Sequence, residues 1–295
     1  MANNILTAVN WTTILDEVYQ YASKTAVLDS GAEVIKAGTN AGEFNVAKLS
    51  MQGLGDYSRA NGYVKGDVNL TWQTIAHNFD RGRLFTVDAM DDEEALKLIV
   101  ANLLGEFLRT QVVPELDAFR FATYAGIAKA ASTAATYVKT GTIANGTDAV
   151  TAIRKMVDTM NDAQVPETDR VLYLTNAVKG FIDDLDTTKS KAVLDGFAVV
   201  ETVPQARFVT AIKQLDGTST GETGGGFTTA TGFKNINIMA VHKPAIIQTT
   251  KHVVPKIIAP DVNQSADGWL IAYRNYGLAD HYDNKLAGIQ VHHVA

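Results

Sequence analysis

The stretch Asp80-Arg81-Gly82-Arg83-Leu84-Phe85-Thr86-Val87-Asp88-Ala89-Met90-Asp91-Asp92-Glu93-Glu94 reads as a strand that ends in a long, acid-started helix. Asp88 or Asp91 can cap that helix. Asp91, Asp92, Glu93 and Glu94 set negative charge where the helix dipole is positive. Leu96, Ile99, Val100, Leu103, Leu104, Phe107 and Leu108 form a broad apolar stripe. Leu103 and Phe107 sit mid-stripe, where truncation to alanine costs roughly 2–5 kcal/mol if the side chain is buried. Pro114 is expected to end or kink the helix near Val113, since proline has no N–H to give. The helical pattern resumes with Leu116, Phe119, Ala122 and Tyr124. The first part alone spans roughly 30 Å at helical rise.

Upstream, residues 43 to 88 read as β structure. Val68, Leu70 and Trp72 alternate with Asp67, Asn69 and Thr71, the period-two pattern of a half-buried strand. Between Met51 and Gly66 the chain is polar and rich in glycine. The expectation is a long two-stranded ribbon with a flexible tip. Such a ribbon is marginal alone and needs partner surface. Before it, Trp11, Ile14, Leu15, Val18 and Ala22 follow amphipathic helical spacing with Asn10 as N-cap, and Ser23 to Gly42 turns irregular. A short capped helix on a loose segment reads as an arm able to lie on a neighbour.

Downstream, the small, threonine-rich stretch Ala130 to Gly146 is a candidate boundary. Val150, Ile153, Met156, Val157 and Met160 predict a helix; Arg170 to Thr175 a strand; Ala177 to Leu185 another helix. Phe197 to Val203 and Arg207 to Leu215 read as strands around Pro204. Asp216 to Gly232 is a glycine- and threonine-rich loop. Ile236 to His242, Ala245 to Thr250, Val253 to Ile258 and Gly268 to Tyr273 read as strands.

Composition narrows the function classes. The chain has 295 residues, 46% apolar and 20% charged, as in a folded protein of one large domain or two ordinary ones. Long apolar runs are missing, so no membrane role is expected. The first lysine is Lys24, so a basic leader of a signal peptide is not expected. There is no cysteine, which excludes disulfides, thiolate metal sites and cysteine nucleophiles. Net charge is −6 and the basic residues are scattered, which disfavours tight DNA binding.

No motif for chemistry stands in the context it needs. Gly217-Thr218-Ser219-Thr220-Gly221 matches the nucleophile elbow of α/β-hydrolases, but that elbow needs a helix after the serine. Glu222-Thr223-Gly224-Gly225-Gly226 will not start one. The six histidines show no i, i+4 zinc spacing. Asp183, Asp184 and Asp186 lack a calcium-loop pattern and read as a solvated helix end. There is no phosphate-binding loop or dinucleotide fingerprint. No catalytic, cofactor or metal residue is therefore expected.

Several stretches, in this order and spacing, resemble the major capsid proteins of tailed bacteriophages. They are Gln52-Gly53-Leu54-Gly55-Asp56-Tyr57-Ser58-Arg59, the Asp80 to Glu94 block and Val113-Pro114-Glu115-Leu116-Asp117-Ala118-Phe119-Arg120. Val203-Pro204-Gln205-Ala206-Arg207-Phe208, Val241-His242-Lys243-Pro244-Ala245 and the tail from Ala266-Asp267-Gly268-Trp269 to Asn284-Lys285-Leu286-Ala287-Gly288-Ile289 continue it. The resemblance implies the α+β Hong Kong 97-type capsid fold. Its expected parts are an N-terminal arm (1–42), an extended β-ribbon loop (43–88), a spine helix with peripheral domain (89–140) and an axial domain (141–240). C-terminal strands (241–295) return toward the peripheral domain.

It also implies a structural shell protein, in the virion and assembled in the bacterial cytoplasm. Its expected partners are its own copies in pentamers and hexamers, a separate scaffolding protein, a portal, and packaged DNA held loosely. Some relatives carry a scaffolding segment before the arm, and the start at Met1 favours a separate scaffold. Two other readings remain: an encapsulin-type compartment of the same fold, and a soluble α/β hydrolase. Candidate assembly contacts are Arg59, Lys65 and Trp72 on the ribbon, and Arg81 and Arg83 on the descending strand. Asp91, Glu93 and Glu94 at the helix start, with Pro114 and Glu115 at its bend, complete the set. In some shells of this fold a ribbon lysine bonds covalently to a neighbour's asparagine. Lys65 lies near the ribbon tip, and no asparagine or acid is singled out for it.

Overall fold

A computed structural model describes residues 23–30, 43–94, 98–131, 133–185 and 192–295. The expected arm helix at 11–22 lies outside them. A two-stranded antiparallel ribbon comes first, β1 (Glu43–Met51) with β2 (Val68–Ala76), in a register that sets Leu49 opposite Leu70. Strand β3 (Phe79–Asp88) then runs directly into helix α1 (Ala89–Glu94). The cap is Asp88, whose Oδ1 accepts the N–H of Met90 at 2.9 Å.

Helix α2 (Leu98–Phe107) passes through a π-helical turn, Leu108–Val112, into α3 (Val113–Ala130). The expected break at Pro114 is thus a widening, not an end. Pro114 offers no N–H, and the N–H of Val113 reaches back five residues to the carbonyl of Leu108. Leu103 and Phe107 are only half-buried. Phe107 stacks edge-on against Phe85 at 4.9 Å and Tyr273 at 6.2 Å. Both residues border an open cavity, so their truncation costs less than the full-burial range expected from the stripe.

After α4 (Ala134–Tyr137) and β4 (Val138–Thr140) come α5 (Gly146–Asp162), β5 (Arg170–Thr175) and α6 (Asn176–Asp184). Asn145 caps α5 and Thr175 caps α6 through their side-chain oxygens. Strand β6 is Val199–Val203; the expected strand after Pro204 is a short 3-10 turn followed by β7 (Ile212–Gln214), paired with β8 (Phe227–Thr229). Strand β9 (Ile236–His242) follows. Two strands expected between Ala245 and Ile258 are one, β10 (Ile246–Ile258), with a bulge between Thr250 and His252. It pairs with β11 (Gly268–His281), and β12 (Ile289–His293) closes the chain.

These strands build two larger sheets. One has the order β4-β12-β9-β5-β6, the other β10-β11-β3. The C-terminal strands therefore divide: β10 and β11 lie with β3, whereas β12 lies between β4 and β9. Alternation explains the layering of the five-stranded sheet. Leu172 and Leu174, with Ile238 and Ala240, face Ile153, Met156, Met160, Val178 and Ile182 of α5 and α6. Val171 and Tyr173, with Met239, Val241, Ile289 and Val291, face Phe121, Tyr124 and Ala128 of α3. On its other side α3 meets β11 and, through Phe119 against Phe79 at 5.0 Å, β3. The spine is therefore packed between two sheets.

Candidate interaction surfaces and the polar joints behind them

The ribbon changes its apolar face along its length. Near its base, Val46 and Ile75 pack on Ile247, Leu278 and Tyr282 of the body. Gln73 donates to the carbonyl of His281 at 2.9 Å and accepts the N–H of Asp283, while Lys48 pairs with Asp283 at 2.7 Å. Further out, the apolar side chains lie on the opposite face. Leu49, Met51, Val68, Leu70 and Trp72 share it by register, and each is more than half exposed. The period-two pattern predicted half-burial for Val68, Leu70 and Trp72. The strand is as predicted, but no layer of the described residues covers that face. The tip adds exposed Leu54, Tyr57, Tyr63 and Val64, with Arg59 and Lys65 beside them in solvent.

The root of the arm, 23–30, is held by a buried polar joint on α3. Asp117 is fully buried. Its Oδ1 accepts from Ser23 Oγ at 2.8 Å, Thr25 Oγ1 at 2.7 Å and Thr25 N at 3.2 Å. Its Oδ2 accepts from Lys24 N at 3.0 Å and from Arg207 Nη1 at 3.2 Å. Arg120 donates to Thr25 Oγ1 at 2.9 Å and pairs with Asp29 at 3.3 Å. Gln248 of β10 donates to the carbonyl of Thr25 and to Asp29, both at 2.7 Å, and accepts from the Tyr124 hydroxyl at 2.7 Å. Burial pushes the Tyr124 phenol well above its usual range, so it stays a donor. Arm root, spine and the turn after β6 thus meet on the Asp117 carboxylate, and β10 joins the same joint through Gln248. None of these residues belongs to a motif that spacing could reveal, but the sequence does carry one signal. Asp117 and Arg120 stand among Leu116, Ala118, Phe119 and Phe121 in a helix apolar on both sides.

A second joint gathers three of the expected contact residues. Arg81 Nε donates to Glu115 Oε1 at 2.7 Å, and its Nη2 to the carbonyls of Leu215 at 2.8 Å and Gly226 at 3.1 Å. Arg83 donates to the carbonyl of Thr223 at 3.0 Å. The two arginines of β3 thereby hold the loop 216–226 over the π turn. Gly217 and Gly225 have φ of +76° and +66°, and a Cβ on either would lie 2.9 Å from Arg83 Nη1. Alanine at Gly225 is expected to cost about 1–2 kcal/mol in the loop from the left-handed backbone alone. Amide exchange at Leu215 and Gly225 should accelerate accordingly, and adding Arg83→Ala should relieve only the steric part.

Apart from Pro114, which adjoins Glu115, the other expected contacts stand away from this joint. Asp91 is half-buried and Glu93 and Glu94 are exposed on α1, while Pro114 lies at the second position of α3. Asp92, their neighbour, is buried.

The chemistry candidates stay separate too. Ser219 lies in turns between β7 and β8, with no helix after it, and its Oγ donates to Asp216. That hydroxyl, with the N–H groups of Ser219 and Thr218, holds the Asp216 carboxyl well below the usual range. The loop braces itself. His242 is buried against Gly288. Among the described residues no group of three or more histidines and acids could hold a metal, and no helix is long and apolar enough to cross a membrane.

Burial, the largest cause, lowers the pKa of His77, His242 and His292 from 6.5. A histidine held neutral in the fold gives its stability in full above its unfolded pKa. That stability is lost as pH falls below it, because the unfolded chain takes up the proton first. The denaturation midpoint is expected to drop between pH 7.5 and 5.5, less so in His292→Gln. An unchanged midpoint would contradict this.

No protein-family model matches the chain, and no curated protein matches it in sequence. The likeness lies in the fold. A solved structure of Mycobacterium phage Che8 is 14% identical, with a TM-score of 0.61, over 99% of this chain and 98% of that one. The capsid structure of the cyanophage P-SCSP1u is 11% identical, with a TM-score of 0.65, over 98% of this chain and 93% of that one. The mature capsid of bacteriophage PhiM1 is 11% identical, also at 0.65, over 98% and 92%. The chain has the α+β Hong Kong 97-type fold of phage capsid subunits, essentially end to end.

Proposed function

We propose that this chain is the major capsid protein of a tailed bacteriophage or prophage, a structural subunit that self-assembles into an icosahedral head around double-stranded DNA. The observation that carries this reading is the match of fold over nearly the whole of both chains. The apolar ribbon face that the described residues leave open supports it, since a closed shell is built from many modest heterologous contacts. In this reading the arm (1–42) braces a neighbour, the ribbon (43–88) lies across the adjacent subunit, and 89–140 forms the spine and peripheral part. The axial domain (141–240) meets its copies around five-fold and six-fold centres, and 241–295 returns through both sheets.

Arg59, Lys65 and Trp72 act as direct contacts on the ribbon. Asp91, Glu93 and Glu94 present a charged patch. Arg81, Arg83, Pro114 and Glu115 act indirectly, by fixing how ribbon, spine and loop 216–226 stand to one another. A separate scaffolding protein and a portal complete the assembly in the host cytoplasm, and the net charge of −6 suits loose contact with packaged DNA. The role calls on no catalytic step.

The purified chain, alone and with its scaffold, is expected to sediment as large hollow particles visible by negative-stain microscopy. A strictly monomeric or dimeric species under both conditions would sink the proposal.

A further inference from the structure

At one edge of the five-stranded sheet β4 and β12 run parallel, with Lys139 paired to His292. Ile289 and Val291 of β12 face α3, so alternation turns His292 to the opposite side, toward α5, and Lys139 beside it turns the same way. Across from them α5 presents Asp148, Thr151 and Lys155, spaced i, i+3 and i+7 on one helical face. Between the two lies an open cleft of about 590 Å³. That lies within the range of small-molecule sites, roughly 300–1,000 Å³.

The polar groups of this cleft are not used up within it. The Lys155 ammonium has no hydrogen bond or ion pair among the described residues. Lys139 Nζ gives one of its three protons to the carbonyl of Ala135 at 2.9 Å. Asp148 is the one carboxylate in the lining, and it accepts the N–H of Ala144 at 3.3 Å. His292 is 7% exposed, and its side chain has no hydrogen bond to another of the described residues. Its Nδ1 is shielded from solvent. Its Nε2 lies 3.7 Å from the place that a Cβ on Gly141 would take. Gly141 also lines the cleft, so Nε2 is the ring nitrogen turned toward it.

We infer that this cleft binds a phosphate group, held by the ammonium groups of Lys139 and Lys155 and by the Nε2–H of His292. Two ammonium groups against one carboxylate leave the lining net positive, which selects an anion. The donors come from three elements, β4, β12 and α5. A phosphate offers oxygens in several directions to meet them, whereas a carboxylate offers two in one plane. Burial favours the neutral form of His292, which still has one N–H to give. The cleft exceeds a bare phosphate in volume, so a small phosphate ester has room too, and the phosphate is the group they share.

Equilibrium dialysis of the full chain against labelled inorganic phosphate tests this, with acetate as the planar competitor. Saturable binding of about one phosphate per chain is expected. Glycerol 3-phosphate should displace it, acetate at the same concentration hardly at all, and the tighter of the two phosphates tells an ester from the free ion. Lys139→Met and Lys155→Met should each weaken binding by about tenfold, the worth of one hydrogen bond to a charged group. Asp148→Asn keeps an acceptor for Ala144 and should tighten binding, because the opposing charge is gone. Thr151→Trp, at an exposed position of α5, should block the cleft. No saturable binding, displacement by acetate as ready as by glycerol 3-phosphate, weaker binding in Asp148→Asn, or affinity unchanged in both methionine variants would overturn the site.

Discussion

Asp117→Ala is expected to destabilise the chain by about 3–5 kcal/mol, because it removes the buried carboxylate on which a buried arginine and several arm-root donors converge. Arg207 is 3% exposed and loses its bond to the Asp117 carboxylate. The backbone N–H groups of Lys24 and Thr25 and the hydroxyls of Ser23 and Thr25 lose the same acceptor. Asp117→Asn keeps the shape and part of the bonding, so its loss should be smaller. Arg207→Met in the Asp117→Ala background should recover part of the loss, since the buried charge that faced the carboxylate is then gone too. Urea denaturation of the four chains measures this. A single-variant loss under about 1 kcal/mol would show that the joint is not a clamp. The arm root should also become accessible to trypsin at Lys24 in Asp117→Ala.

The second large effect is on assembly and leaves the subunit intact. In Leu70→Asp with Trp72→Asp, two adjacent members of the exposed ribbon face become charged. Neither side chain is part of the chain's own core, so the denaturation midpoint should move by no more than a surface substitution does, within about 0.5 kcal/mol. A shell contact that buries them would lose roughly 1.5–3 kcal/mol per side chain, with each 1.4 kcal/mol a factor of ten in affinity. The concentration needed for assembly should therefore rise by about two orders of magnitude or more, read by sedimentation. Asp67→Ala, at the same end of the ribbon but off the apolar face, is the control. Normal particle yield from the double variant would remove the ribbon face from the assembly reading.

Much of the architecture was legible in the order of residues because local periodicity decides local structure. The strand-to-helix transition at Asp88, the helices of 146–162 and 176–184, and the strands Arg170–Thr175 and Ile236–His242 follow from alternation and capping. The ribbon was legible for the same reason. Tertiary structure decided whether its apolar face is covered, since period two specifies that one face is apolar and not what lies against it. It also decided the fate of Pro114. A missing N–H breaks a helix in isolation, but packing between two sheets keeps this one continuous, and the strain is taken up by one π turn. The joints at Asp117 and at Arg81–Glu115 join residues 92 and 34 positions apart. Pairings at such separation leave no periodic trace, because they are chosen by which elements the fold brings together. Alternation and caps thus set the elements of this chain, and long-range burial of a few charges set how they are held.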